Sequence, residues 1–107
     1  MNLGRKQTIF TRRIALLILY APELGFEIRF DREHCNHIKY SLHYKGLAKD
    51  FNLFKGGEYI TDGMDHKPLG DFWESMNGCK WGGNFKTTTG TPFIDGNHYS
   101  LPHAGFE

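Results

Sequence analysis

The stretch that decides the fold is residues 47–60, LAKDFNLFKGGEYI. In its first half Leu47, Phe51 and Leu53 occupy odd positions and Asp50 faces the other way, which is the two-residue period of a half-buried strand. The Lys-Gly-Gly that follows is typical of a tight turn, and the Glu-Tyr-Ile after it is expected to return as a second, short strand. The sequence therefore predicts a hairpin that carries Asp50 on the face away from these apolar side chains.

The chain before the hairpin is predicted to begin with a helix from about Thr8, as its N-cap, to Tyr20. The apolar side chains at the spacing of one helical face are Phe10, Ile14, Leu17 and Ile18. The second half of this helix is apolar on nearly every side, so we expect it to be well buried. Pro22 should end the helix, and the alternating residues 26–30 (FEIRF) predict a half-buried strand.

A second helix and a last strand are predicted after the hairpin. Residues 66–76 have an amphipathic pattern in which Pro68 is tolerated in the first turn. Their shared apolar face consists of Leu69, Phe72, Trp73 and Met76. The polar segment 31–40 and the Gly- and Thr-rich segment 77–92 are expected to be loops, and a short strand is expected at residues 98–101.

Length and composition limit the classes of protein that the chain can be. The 107 residues suffice for one domain, 1–107, and 39% hydrophobic with 23% charged residues is the composition of a folded domain rather than a disordered chain. The net charge of +1 gives no general attraction to nucleic acid. A local basic cluster is expected to be a solvated helix face, with contact to an anionic partner as the alternative: Arg5, Lys6, Arg12 and Arg13.

Localisation is predicted from the longest apolar run, residues 14–21. A bilayer takes about 20 apolar residues to cross, so this run predicts no membrane span. The residues after it lack the small-x-small pattern of a cleaved signal, and a buried core helix is the better interpretation. We expect a monomer that is made in the cytoplasm without a clear signal peptide.

The two cysteines, Cys35 and Cys79, are too few for a disulfide framework and are expected to be small buried side chains. An alternative is a zinc-binding interaction module in which both cysteines join His34 and His37. His66 and His103 are expected at the surface.

Two pairs of polar side chains could carry chemistry. His43 and Asp50 are separated by small residues that let a ligand approach, and a covered Asp50 carboxylate would need a partner such as a metal shared with His43. Asp95 lies three residues before His98 in a Gly turn, so His98 could bind the same metal while Asp95 reaches a water beside it. Three protein ligands would leave the fourth position of a zinc ion open for that water. On spacing alone, ordinary hydrogen-bonded residues are the favoured explanation.

The order of these residues resembles a known family. Ser-x-His-x-x-Gly-x-Ala-x-Asp at residues 41–50 and Asp-Gly-Asn-His-Tyr-Ser-Leu at 95–101 are similar to motifs of the VanY-like zinc D-alanyl-D-alanine carboxypeptidases and L-alanyl-D-glutamate endopeptidases, which include phage endolysins. Pro-Leu-Gly-x-x-Trp-Glu-Ser at 68–75 and Trp-Gly-Gly-x-Phe at 81–85 extend the resemblance. It implies an α+β fold with the zinc site on an antiparallel sheet, which two or three helices flank.

The resemblance also implies roles for single residues. It makes His43, Asp50 and His98 the Zn²⁺ ligands and Asp95 the general base. Family members carry an Arg upstream of the first His that stabilises the oxyanion. Here that segment is short. Arg32 is the best candidate for this role and Arg29 is the next, although the alternation of residues 26–30 places Arg29 on the solvent side.

The flanking residues have less specific expected roles. In the resemblance Ser41 supports the site. Asn97 and Tyr99 could orient His98 as its neighbours, although strand packing explains Tyr99 equally well. Trp81 is expected either in the core or in the wall of the substrate groove.

The expected function is hydrolysis of a peptide bond in the stem peptide of bacterial peptidoglycan. The small size favours the L-Ala–D-Glu endopeptidase over the D-Ala–D-Ala carboxypeptidase, in a phage- or prophage-encoded enzyme that acts on the cell wall. The shortened segment 31–40 keeps one alternative open, a catalytically degenerate cell-wall-binding or virion structural domain that retains zinc for folding.

Overall fold

The structure is a computed structural model that describes residues 2–31, 42, 45–86, 89–92 and 94–103. These residues form a small α+β domain with two α-helices and an antiparallel sheet of five strands, which confirms the expected fold class. In chain order the elements are α1 (Leu3–Tyr20), β1 (Glu27–Phe30), β2 (Ala48–Lys55), β3 (Glu58–Tyr59), α2 (Lys67–Glu74), β4 (Lys80–Trp81) and β5 (His98–Ser100).

Strand β2 is the centre of the sheet, because three other strands, β1, β3 and β5, pair with it. The strand order is β1-β2-β5-β4, and β3 pairs with the far end of β2 on the edge that β5 also uses. The turn between β2 and β3 is Gly56-Gly57, with φ of 59° and 81°, a backbone conformation that glycine adopts at little cost. The hairpin predicted from residues 47–60 is confirmed.

The two faces of the sheet differ in polarity. Phe51 and Leu53 of β2 and Tyr99 of β5 are fully buried on one face, where both helices pack. Trp73 of α2 joins the layers, since its ring lies edge-on to Tyr99 at 6.1 Å and to Phe10 of α1 at 5.7 Å. Full burial of one such side chain stabilises the fold by about 1.5–3 kcal/mol. Asp50 and His98 belong to the other face.

The N-cap of helix α1 lies six residues earlier than predicted. Asn2 is the N-cap, and its side chain accepts a hydrogen bond of 2.8 Å from the backbone N–H of Arg5. Thr8, the expected N-cap, lies inside the helix, where its hydroxyl donates to the carbonyl of Gly4. The predicted end at Tyr20 is confirmed, since residues 21–24 continue as a 3₁₀ turn.

The prediction that the second half of α1 is well buried is wrong. Phe10, Ile14 and Leu17 are buried as expected, but Leu16 is 51% and Leu19 is 72% exposed. The helix lies on the surface of the domain and packs through one face, so apolar residues on its outer side remain in contact with solvent.

Helix α2 confirms the predicted apolar face, with Leu69 and Trp73 fully buried. A 3₁₀ turn, Gly63–His66, precedes it, so the α-helix begins one residue later than expected. The predicted loop 77–92 contains β4 and a 3₁₀ turn, Gly82–Asn84, which are too short for a periodic pattern to reveal.

Several smaller predictions concern the surface and the cysteines. Cys79 is a buried free thiol, as expected, whereas Cys35 and its neighbours His34 and His37 lie outside the described residues. Two residues of the basic cluster form hydrogen bonds within the domain: Lys6 donates to the carbonyl of Pro102 at 2.9 Å, and Arg13 donates to the carbonyl of Asn77. None of the helices in the described ranges is long and apolar enough to cross a membrane.

Candidate metal centre

Asp50 and His98 lie side by side on the polar face of the sheet. They are register partners in the antiparallel pair of β2 and β5, so their side chains project from the same face. His98 Nδ1 is 3.3 Å from Asp50 Oδ1. The His98 side chain is 8% exposed and that of Asp50 is 25% exposed, so both groups are largely removed from bulk water.

Asp95 reaches the same nitrogen from the turn before β5. Its Oδ2 lies 3.9 Å from His98 Nδ1, and its side chain is 42% exposed. The turn is closed by a hydrogen bond of 3.0 Å from the His98 N–H to the Asp95 carbonyl. Asn97 contributes its carbonyl, which accepts from the N–H of Phe51 at 3.0 Å and fixes the turn to β2. The side chains of Asp95 and His98 therefore lie next to each other, as their spacing in the sequence suggested.

Two glycines let the backbone of this turn approach its neighbours. A Cβ on Gly82 would overlap the Asp95 carbonyl and lie 2.9 Å from His98 Cβ, and a Cβ on Gly96 would overlap the Gly63 carbonyl. The N–H of Asp95 also donates to the Gly82 carbonyl at 2.9 Å. Side chains at positions 82 and 96 would therefore displace the residues that carry Asp95 and His98.

Trp81 supports the turn from beneath. Its side chain is 1% exposed, so of the two expected positions the structure shows the core and not the wall of an open groove. The indole Nε1–H donates to the Gly96 carbonyl at 2.6 Å. The backbone N–H of Trp81 donates at 3.0 Å to Glu74, a residue that the sequence analysis did not single out.

Phe85 covers one side of the candidate centre. Its ring centroid lies 5.3 Å from that of His98. An aromatic ring in this position restricts the orientation of the imidazole and keeps water from one of its faces. The Trp-Gly-Gly-x-Phe motif contained this residue, but nothing in the sequence indicated that it would contact His98.

His66 and Tyr99 form a buried pair on the other side of β5. His66 is 3% exposed, so its predicted position at the surface is wrong. Its Nδ1 lies 2.8 Å from the Tyr99 hydroxyl. Burial lowers the pKa of His66 from 6.5 to about 4, partly offset by the nearby Asp65 carboxylate, and burial raises the pKa of Tyr99. Tyr99 thus packs into the core and contacts His66. Of its two expected roles, this agrees with strand packing rather than with orienting His98.

Arg29 lies on the same sheet face as the candidate centre but does not contact it. It is the register partner of Asn52, two residues along β2 from Asp50. Its guanidinium lies 3.9 Å from the centroid of the Phe54 ring, on the side away from Asp50. Arg32, the expected oxyanion residue, lies outside the described residues, as do His43 and Ser41.

The spacing of Asp50 and His98 can be compared with the geometry that a zinc ion would need. Zinc bonds of about 2.0–2.1 Å at a tetrahedral angle place two ligand atoms about 3.3 Å apart. The Asp50 oxygen and the His98 nitrogen lie 3.3 Å apart, which is within hydrogen-bond distance and also compatible with two ligands of one zinc ion. In the part of the chain that the structure describes, no group of three His, Cys, Asp or Glu side chains forms a complete metal site. A zinc ion held by Asp50 and His98 would need a further ligand, and His43 is the residue that the sequence predicts for it.

No family model matches the chain, and comparisons with curated proteins and with solved structures found no match. The resemblance to the zinc peptidases consequently depends on the motifs of the sequence.

Proposed function

We propose that the chain is a zinc metallopeptidase that hydrolyses a peptide bond in the stem peptide of bacterial peptidoglycan. One observation supports this proposal above the others: Asp50 and His98 are paired across two strands, with a carboxylate of Asp95 3.9 Å from the same imidazole nitrogen. A ligand pair next to a second, more exposed carboxylate is the arrangement that metal-assisted hydrolysis requires.

His43, Asp50 and His98 would hold the ion. A bound zinc would supply Lewis acidity, which polarises a carbonyl and lowers the pKa of water from about 15.7 towards 7. Asp95 would accept the proton of the attacking water and later return it to the leaving amine. Its greater exposure suits this exchange, because a general base must meet both water and substrate. Arg32 would stabilise the oxyanion.

The substrate is assigned through the resemblance, with the L-Ala–D-Glu bond favoured over the D-Ala–D-Ala bond. The proposed source is a phage or prophage, and the protein would act on the cell wall after synthesis in the bacterial cytoplasm.

The test uses zinc-loaded protein on isolated sacculi, with mass spectrometry of the soluble products. A newly freed D-Glu amine would support the endopeptidase, and loss of terminal D-Ala alone would support the carboxypeptidase. Asp95→Asn should abolish turnover while the protein still binds one zinc, as measured by elemental analysis. Asp71→Asn is the matched control, because Asp71 is an exposed carboxylate of α2 whose partner is Lys67.

A different outcome would favour the degenerate wall-binding or virion structural domain. In that case the wild-type protein would contain one zinc and release no product, and Asp95→Asn would change nothing measurable. Absence of bound zinc from the wild-type protein would refute both proposals.

A further inference from the structure

A cavity of about 220 Å³ opens beside Asp95 and is separate from the paired ligands. It lies where β3 and β5 leave a gap along the same edge of β2. Thr61 and Gly63 line one wall, and residues 94–97 line the other. Neither Asp50 nor His98 is among the lining residues. Among the described residues, Asp95 is the one acidic side chain that the cavity shares with the candidate metal centre.

His66 lines this cavity from the core side, and its tautomer follows from its partner. The Tyr99 hydroxyl is fully buried, and within the described residues its hydrogen bond is to His66 Nδ1. A buried O–H without an acceptor costs about 1–3 kcal/mol, so the hydroxyl donates and Nδ1 accepts. The proton of the neutral ring is then on Nε2.

The cavity thus contains a buried hydrogen-bond donor. His66 lines the cavity, and with Nδ1 bonded to Tyr99 the ring donor that remains is Nε2–H. Among the described residues no protein acceptor for this N–H is present. A side chain that is 3% exposed gains little from bulk water, and this N–H therefore needs an acceptor inside the cavity.

Charge limits what the acceptor can be. Asp95 is the one carboxylate among the described lining residues, and no Lys or Arg is among them. A carboxylate ligand would be repelled by Asp95, and an ammonium group could not accept from His66 Nε2. An amide group matches both the donor and the acceptors of the cavity. Its carbonyl accepts from His66 Nε2–H, and its N–H donates to Asp95 or to the Asn97 side chain.

We propose that this cavity binds an uncharged amide group of the substrate, on the acyl side of the bond that is cut. This assignment rests on the proposed function. In both candidate cleavages the residue on the amine side carries a free carboxylate, which Asp95 would exclude from the cavity. The acyl side offers an amide carbonyl and N–H, and so the cavity sets the direction in which the stem peptide lies across the sheet.

The first test is binding of a small neutral probe to the ¹⁵N-labelled full-length protein. N-acetylalanine methylamide should shift the His66 ring nitrogen signals and the amide signals of Thr61 and Gly63, whereas acetate and methylammonium at the same concentration should not. Thr61→Tyr should place a larger side chain in the cavity and weaken binding about five- to ten-fold, because the probe would no longer reach the His66 donor and would lose roughly one hydrogen bond. Thr91→Tyr is the matched control, since Thr91 is also an exposed threonine but does not line the cavity.

Two results would overturn the assignment: equal shifts from all three probes, or probe binding that Thr61→Tyr leaves unchanged. Both variants lie at exposed positions, and circular dichroism would check that they fold. Failure here is distinct from failure of the proposed function. If Thr61→Tyr hydrolyses sacculi with an unchanged KM, the subsite is rejected and the peptidase proposal stands. If the wild-type protein binds the probe but hydrolyses no sacculi, the peptidase proposal is rejected and the cavity still binds an amide.

Discussion

Acid is expected to destabilise the folded chain through His66. The unfolded chain binds a proton on this side chain at its ordinary pKa of 6.5, whereas burial lowers the pKa to about 4 in the folded state. Between these values the unfolded state carries more protons than the folded state, so the free energy of unfolding falls as the pH falls. The contribution is complete above pH 6.5 and is lost by about pH 4.

The size of the effect follows from the two pKa values. At about 1.4 kcal/mol for each unit, the interval from 6.5 to about 4 corresponds to about 3–4 kcal/mol of stability. Small domains have about 5–15 kcal/mol in total, so this one group would remove a large fraction of the margin. Tyr99 compensates only in part, because its oxygen can accept from the new Nδ1–H but its own proton then has no acceptor among the described residues.

The assay is urea denaturation at a series of pH values from 7.5 to 4, with chelator present so that protonation of the candidate metal ligands is not measured through zinc release. Wild-type protein and His66→Gln are compared, because the difference between their pH profiles isolates this side chain. NMR titration of the His66 ring in the wild-type protein gives the pKa directly and does not depend on the variant. The reasoning is refuted if the two profiles run parallel, or if the ring titrates near 6.5.

Other predictions concern packing and caps. Gly70→Ala should destabilise by about 1–3 kcal/mol, since its Cβ would lie 2.5 Å from Cε3 of the buried Trp81 ring; thermal denaturation should show a clear drop in Tm. Gly4→Ala, whose Cβ would have an ordinary contact of 3.7 Å, is the control and should instead stabilise α1 by about 0.5–1 kcal/mol. Asn2→Ala should cost about 1 kcal/mol in the same assay through loss of the N-cap, and no change would contradict that role. Leu19→Ser should change stability by less than about 0.5 kcal/mol, because Leu19 is 72% exposed, and a larger loss would mean that this surface is covered.

The sequence predicted most clearly those elements that are long enough to show a periodic pattern of apolar side chains. β2 has eight residues and α2 has eight, and each shows its apolar face in the spacing of its side chains. Strand β4 has two residues, too few for alternation to distinguish a strand from a loop, whereas the short strand predicted at residues 98–101 is present as β5. The start of α1 was missed because both Asn2 and Thr8 are residue types that cap helices, and the choice between them depends on local geometry.

The candidate site was predictable as a set of residues but not as an arrangement. The sequence placed Asp50 on the face opposite Phe51, and the structure agrees, but its contact with His98 spans 48 positions and requires the register of β2 and β5. His66 was misassigned for a similar reason. It follows a polar turn and precedes a helix, and its burial depends on Tyr99, which is 33 residues away along the chain.

Strand β5 contributes side chains both to the candidate site and to the core. Successive side chains of a strand face opposite sides, so His98 meets Asp50 on the polar face while Tyr99 meets His66 among the apolar residues. With three residues, β5 has little pairing of its own, and its position depends on Trp81, which bonds to the Gly96 carbonyl just before it. A change that loosens Tyr99 or Trp81 would therefore displace His98 relative to Asp50, although neither aromatic side chain touches the Asp50 carboxylate. Two of the largest fully buried side chains, Trp81 and Tyr99, thus help to position the strand that carries His98 of the candidate site.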